Sequence, residues 1–229
     1  MQIATTETLS EAVPDYKKRL DADLNWALRE GGMFFQNESE VQKSLRRITG
    51  RLNDLGIDYA VVGGMALFLH GFRRFTEDVD ILVTGEGLQR LHEALEGSGY
   101  RPPFANSKNL RDTDNGVRIE FLVAGEYPGD GKAKPVAFPE PGHVATEQDG
   151  IRLLNLEALI ELKLASGISG GVERLKDIAD VVEVIKMLNL PETMADRLNL
   201  YVAGRYRELW WEIEAARKRR EADGLEPQG

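Results

Sequence analysis

Apolar residues return every three or four positions through residues 38–55, where Val41, Leu45, Ile48, Leu52 and Leu55 fall on one side of a helix. An earlier helix is expected over 7–30, starting properly near Pro14 and broken by Gly31-Gly32, and Gly56 ends the second. The pattern then changes. Tyr59, Ala60, Val61 and Val62 form a short apolar strand that runs into Gly63-Gly64, and residues 65–70 are helical up to Gly71. A second strand follows at 80–83, preceded by Asp78-Val79. An amphipathic helix over 86–96 is built around Leu88, Leu91 and Leu95, and a third strand spans 117–123. In that third strand Arg118, Glu120 and Leu122 face one way and Val117, Ile119, Phe121 and Val123 the other.

Residues 124–150 are rich in Gly and Pro and read as loop, with short strands expected near 135–138 and 143–152. Beyond Asn155 the pattern is helical over 156–166, interrupted by glycines between 167 and 171, and helical again over 173–188. Pro191 opens a new segment, and 194–222 reads as one long helix carrying Trp210 and Trp211 as packing groups, with a frayed end beyond it. Strands separated by helices predict an α/β (α+β) core with helical flanks. The strands are few, so the sheet is expected to be small.

Composition narrows the class. Across 229 residues, 42% are hydrophobic and 29% charged, the balance of a globular domain. No apolar run nears the roughly 20 residues that span a bilayer, and residues 1–10 lack an apolar signal core, so a cytoplasmic location is expected. The absence of cysteine excludes disulfides, thiol nucleophiles and thiolate metal sites. A net charge of -9 disfavours a large nucleic-acid footprint. The basic clusters at 17–19, 46–47 and 217–220 read as solvated helix faces.

The chemistry concentrates between Val61 and Asp80. A strand delivers the chain to Gly63-Gly64 and a helix starts at once, a bend in which backbone can approach a ligand closely and helix N–H groups suit phosphate. Asp78 and Asp80 follow, two apart on a strand and so on one face, while Val79 enters the core. Paired carboxylates repel unless a cation sits between them, and hard oxygen ligands suit Mg²⁺. Arg74 can clamp phosphate through its planar fork. Thr76 shares the face of the two aspartates if the strand has begun by then.

The string Gly-Gly-x-Ala, Gly71 and Arg-x-Thr-x-Asp-x-Asp resembles the polymerase-β-type nucleotidyltransferase superfamily, and most of all its minimal and abortive-infection (AbiEii toxin-like) branch. The resemblance runs from about residue 59 to 188. It implies a small mixed sheet of the nucleotidyltransferase fold, and division into N-terminal helices (1–56), a nucleotidyltransferase core (57–153), a helical part of the catalytic unit (154–190) and a C-terminal helix (191–229). It also implies that Asp78, Asp80 and a third carboxylate, Glu120, hold Mg²⁺ or Mn²⁺. Gly63, Gly64, Arg74, Thr76, Lys163 and Asp177 would then contact a nucleoside triphosphate such as ATP. Lys163 shares a helical stripe with Leu156, Leu159 and Ile160, where it either snorkels to water or enters the cleft. Arg174, Lys176, Asp177 and Asp180 resemble the family's Lys/Arg-Asp-x-x-Asp pattern on the next helix, and Arg174–Asp177 and Lys176–Asp180 read equally as helix-surface ion pairs.

Two positions depart from the family's pattern. Met65 stands where many relatives have Ser, and Glu120 where Asp is common. The expected activity is metal-dependent transfer of a nucleoside monophosphate to a protein, an RNA 3′ end such as that of tRNA, or a small molecule, in a toxin-type enzyme with an antitoxin-like protein partner and no membrane. The alternative is a catalytically inactive nucleotide- or partner-binding module of the same fold.

Overall fold

Alternation along two six-residue strands organises the molecule. The computed structural model describes residues 15–223; the expected helical start at 7–14 and the tail at 224–229 lie outside them. Strand β2 (Asp78–Val83) pairs in parallel with β5 (Arg118–Val123), and antiparallel with β1 (Tyr59–Val61). The hairpin β6 (Ala145–Gln148) and β7 (Ile151–Leu154) joins β1 through a parallel β7 pairing, while β3 (Tyr100–Arg101) and β4 (Leu110–Asp112) extend the other side. The result is one mixed α/β sheet of seven strands in the order β3-β4-β5-β2-β1-β7-β6. More strands are present than the sequence pattern suggests. β3 and β4 are two and three residues long, too short to show a period. The segment expected as a strand near 135–138 is not one, although Phe138 exchanges backbone hydrogen bonds with Gly125 and Glu126. The stretch expected at 143–152 folds back on itself at Asp149-Gly150, both at positive φ, the pairing of residues that a tight hairpin turn requires.

Each face of the sheet has its own core. Val79, Ile81, Val83, Ile119 and Phe121 are fully buried on the face covered by α1 (Tyr16–Ala22), α2 (Leu24–Phe35), α3 (Glu40–Asp54) and α5 (Gly85–Leu95). Ala60, Val62 and Leu82 point the other way, toward α7 (Leu156–Ser169), α8 (Leu175–Met187) and α9 (Leu200–Ala222). Asp78 and Asp80 alternate with Val79 and Ile81, so they too face the C-terminal helices.

Local chemistry sets the helix ends. Ser39 and Gln42 form a reciprocal capping box on α3, and Asp15, Asp23, Thr84 and Asn155 cap α1, α2, α5 and α7. The first helix breaks at Asp23, not at Gly31-Gly32, which lie inside α2. Two glycines mid-helix cost about 1 kcal/mol each. Burial of Phe34 outweighs that: its ring meets Phe68 and Phe75 edge-on, with centroids 5.1 and 5.0 Å away. Likewise α7 runs through Gly167, because a Cβ there would fall 2.4 Å from Ile178 Cδ1; the glycine lets α7 and α8 pack closely. The break comes at Gly170 and Gly171, the latter at φ +58°. In α9, Trp210 is half-buried and its indole donates to the Leu190 carbonyl at 3.0 Å, but Trp211 is 54% exposed and is not a packing group.

Candidate active site

The parallel register of β2 and β5 sets Asp80 directly beside Glu120. The two-residue strand period places Asp78 on the same face. Ligand oxygens of Asp78, Asp80 and Glu120 all lie within 4.8 Å of one another. Among the described residues this is the one group of three or more His, Cys, Asp or Glu side chains so arranged. The glycine bend is built around these acids. Gly63 has φ +58°, and a Cβ on it would sit 1.8 Å from Asp80 Oδ2; one on Gly64 would sit 2.7 Å from Thr76 Oγ1. Only glycine lets the backbone of α4 (Gly63–Leu69) lie this close to Asp80 and Thr76. Thr76 precedes β2, is buried, and donates to Asp78 Oδ1 at 2.8 Å, fixing that carboxylate's rotamer.

Burial pushes the Asp80 carboxyl up to about 7, and the charges of Asp78 and Glu120 push the same way. Burial also raises Glu120, against the pull of Arg118, with which it forms an ion pair. Three acids crowded in one cleft are therefore poorly compensated by the protein. The donor set is all-oxygen and anionic, which fits a hard divalent cation such as Mg²⁺. A pH dependence follows. Between an unfolded carboxylate's value near 4 and about 7, the native chain holds a proton that the unfolded chain has lost. Metal-free stability is thus greatest below that window, falls as pH rises through it, and levels off above it. Mg²⁺ is expected to flatten the decline, because a bound cation favours ionised ligands. Urea midpoints at pH 5, 6, 7 and 8, in chelator and in Mg²⁺, measure this. Midpoints that rise from pH 5 to 7 in chelator would contradict the crowding.

The triad lines a cleft of about 290 Å³ between the sheet and α7 and α8. Its apolar wall includes Leu122, Phe138, Leu159 and Leu162, and Gly129 closes one side. A Cβ on Gly129 would strike Ser169 Oγ at 2.3 Å, so the 124–140 loop seats directly on α7. All nine residues singled out by sequence (Asp78, Asp80, Glu120, Gly63, Gly64, Arg74, Thr76, Lys163 and Asp177) border this one cleft. Met65 does not: its side chain is buried in the opposite core.

Several of these side chains also have partners within the protein. Arg74 is committed within the protein, its Nε and Nη2 donating to the two oxygens of Asp180 at 2.7 and 3.0 Å. Lys163 does not snorkel to water but lines the cleft. It is 7% exposed and donates to Asp177 at 2.9 Å and Asp180 at 2.7 Å. Ser166 adds a hydrogen bond to Asp177 at 2.7 Å. Burial raises the Asp177 carboxyl, but Lys163, Ser166 and Arg174 outweigh it and hold the group below its usual value. The surface pairs Arg174–Asp177 and Lys176–Asp180 do not form, since both aspartates turn inward. Arg47, read as solvated, pairs with Asp112 at 2.8 Å. The three histidines do not assemble: His70 meets the Leu154 carbonyl, His92 meets Glu96, and His143 lies in α6 (Pro141–Val144).

No family model matches the chain, and no curated protein does. Solved structures are similar at a distance. The antibiotic-resistance factor ANT(2″)-Ia, in its solution structure, is 14% identical over 80% of this chain and 97% of that one, with a TM-score of 0.41. A nucleotidyltransferase-like antigenic protein from Paracoccidioides brasiliensis is 20% identical over 65% of this chain and 76% of its own, with a TM-score of 0.43. JHP933 from Helicobacter pylori is 16% identical over 80% and 94%, with a TM-score of 0.42. At such identities and scores none of these proteins lends its chemistry to the chain. Among the described residues no helix is long and apolar enough to cross a membrane.

Proposed function

We propose that the protein is a metal-dependent nucleotidyltransferase, moving a nucleoside monophosphate from a nucleoside triphosphate to an acceptor hydroxyl. The convergence of Asp78, Asp80 and Glu120 beside the Gly63-Gly64 bend carries this reading. Those three side chains would hold Mg²⁺ or Mn²⁺, which would neutralise phosphate charge and lower the pKa of a coordinated hydroxyl. The chain's own residues do the rest. The glycine bend borders the cleft beside the acids, and Leu122, Phe138 and Leu159 give that cleft an apolar wall. The acceptor oxygen bonds to the α-phosphorus as the bond to the pyrophosphate oxygen breaks. Glu120, one methylene longer than the two aspartates, is the third metal ligand or the base that takes the acceptor's proton. Catalysis here is positioning and charge compensation.

The burial of Met65 favours a second reading, a silent nucleotide-binding module, because no hydroxyl is available at that position. One experiment separates the two. The protein is incubated with each α-labelled triphosphate, Mg²⁺ and whole-cell extract, scoring label in protein, RNA and small molecules together with pyrophosphate release. Transfer into a discrete acceptor is expected. Nucleotide binding with neither label nor pyrophosphate would favour the module, and no binding would end both readings.

A further inference from the structure

Four cationic side chains line the cleft: Arg74, Lys163, Arg174 and Lys176. The first two are neutralised in place. Arg74 and Lys163 share Asp180 and Asp177 in a buried set of two positive and two negative charges. Drawing either cation out to a ligand would strand a carboxylate in the interior. The other two differ. Arg174 ends the single 3₁₀ turn between α7 and α8 and Lys176 lies in the first turn of α8, both exposed. Neither forms an ion pair among the described residues.

We infer that Arg174 and Lys176, and not Arg74 or Lys163, bind the β- and γ-phosphates of the nucleoside triphosphate, an assignment that rests on the nucleotidyltransferase reading of the same cleft. Geometry prepares Arg174 for this. A Cβ on Gly170 would fall 2.2 Å from Arg174 Cγ, so the arginine stem lies in the space that the glycine leaves at the end of α7. It lines the same cleft as Glu120 and Asp177, and its charge favours the ionised form of both. An arginine fork grips two phosphate oxygens at once, and a lysine beside it supplies a mobile point charge. In a chain of net charge -9 with three acids in its cleft, a polyanion needs such a local positive wall to enter. The consequence is selectivity by phosphate count. The acids and the glycine bend serve the α-phosphate, whereas the two cations reward a longer tail.

The test is calorimetric titration in Mg²⁺ with the mono-, di- and α,β-methylene triphosphates of each of the four nucleosides, on wild type and on Arg174→Gln/Lys176→Gln. Wild type is expected to bind the triphosphate of its preferred nucleoside more tightly than the monophosphate. The double variant should lose about tenfold to a hundredfold in triphosphate affinity, the worth of one charge-assisted bond or more, with the monophosphate nearly unchanged. Arg174→Lys/Lys176→Arg should restore most of the step, and an unchanged melting temperature would show that the fold is intact. A double variant that keeps the full mono-to-triphosphate step, or that weakens both nucleotides equally, overturns this assignment and leaves the enzymatic reading standing. A wild type that binds no triphosphate overturns both.

Discussion

Asp80→Asn and Asp78→Asn are each expected to lower nucleotidyl transfer by a factor of about 10² to 10³ or more, the scale on which removing a preorganised charge partner acts, while the protein stays folded. Each change is isosteric. An asparagine at 78 still offers an oxygen to Thr76 Oγ1, which donates to Asp78 at 2.8 Å. An asparagine at 80 still fits against Gly63, where the native carboxylate already occupies the space a Cβ would need. What changes is the charge. Loss of one carboxylate leaves two to hold a divalent cation that the full triad fits. The Asp80 variant carries a second, opposite signature. Its carboxyl sits at about 7 because burial and two neighbouring acids oppose ionisation. Replacing it with a neutral amide removes that penalty, so the metal-free variant is expected to be more stable than wild type at pH 8 by about 1–3 kcal/mol. The gain should shrink toward pH 5, where the native acid is protonated. A loss of function joined to a gain in stability separates a functional charge cluster from a structural one. Transfer at the wild-type rate in both variants would end the mechanism, and an Asp80→Asn protein less stable than wild type at pH 8 would end the electrostatic account.

Legibility from sequence followed the distance over which each interaction acts. The bend at Gly63-Gly64 and the same-face placement of Asp78 and Asp80 depend on a few consecutive residues, and period-2 reasoning reaches them. Glu120 is legible only through the family resemblance, which implies a third carboxylate on a later strand; the alternation of Arg118 to Leu122 adds that it stands on a strand. That it lies beside Asp80 is a matter of strand register, set by β2 pairing in parallel with β5, and no local pattern encodes it. The protein partners of Arg74 and Lys163 lie beyond local patterns for a related reason. Helix spacing offers Lys176 to Asp180 four residues on, whereas the observed partners of Asp180 are 106 and 17 residues away. A signal was present all the same. Asp177, Asp180, Val181 and Val184 share one face of α8, and Asp180, Val181 and Val184 are buried. An acid on an apolar stripe has to find cations elsewhere in the fold. β3 and β4 were missed because pairing with a neighbour, rather than any pattern of their own, makes two or three residues into a strand.

Asp180→Asn is expected to cost about 3–5 kcal/mol of folding stability, the range for breaking a buried ion pair from one side. Asp180 is 3% exposed. It accepts hydrogen bonds from Arg74 Nε and Nη2 and from Lys163 Nζ, and with Asp177 it brings the cluster to neutrality. An asparagine leaves the cluster one positive charge in excess and turns an acceptor-only group into one whose amide hydrogens face two cations. That loss is a large share of the 5–15 kcal/mol that stabilises an ordinary domain. The damage should also spread to the triad. Arg74 lies in the segment that carries Thr76 toward Asp78, and Asp180 fixes that segment against α8. Divalent-cation affinity should therefore fall along with stability, although Asp180 is not one of the three acids. Lys163→Met is expected to cost less, because Arg74 and Asp180 keep each other while Asp177 retains Ser166 and the nearby charge of Arg174. Urea denaturation of both single variants and the double completes a thermodynamic cycle, in which residues sharing one network couple by about 0.5–3 kcal/mol. Strict additivity of the two changes would mean that Lys163 and Asp180 are not acting as one buried unit, and an Asp180→Asn midpoint equal to wild type would mean that Asp180 does not hold Arg74 in place.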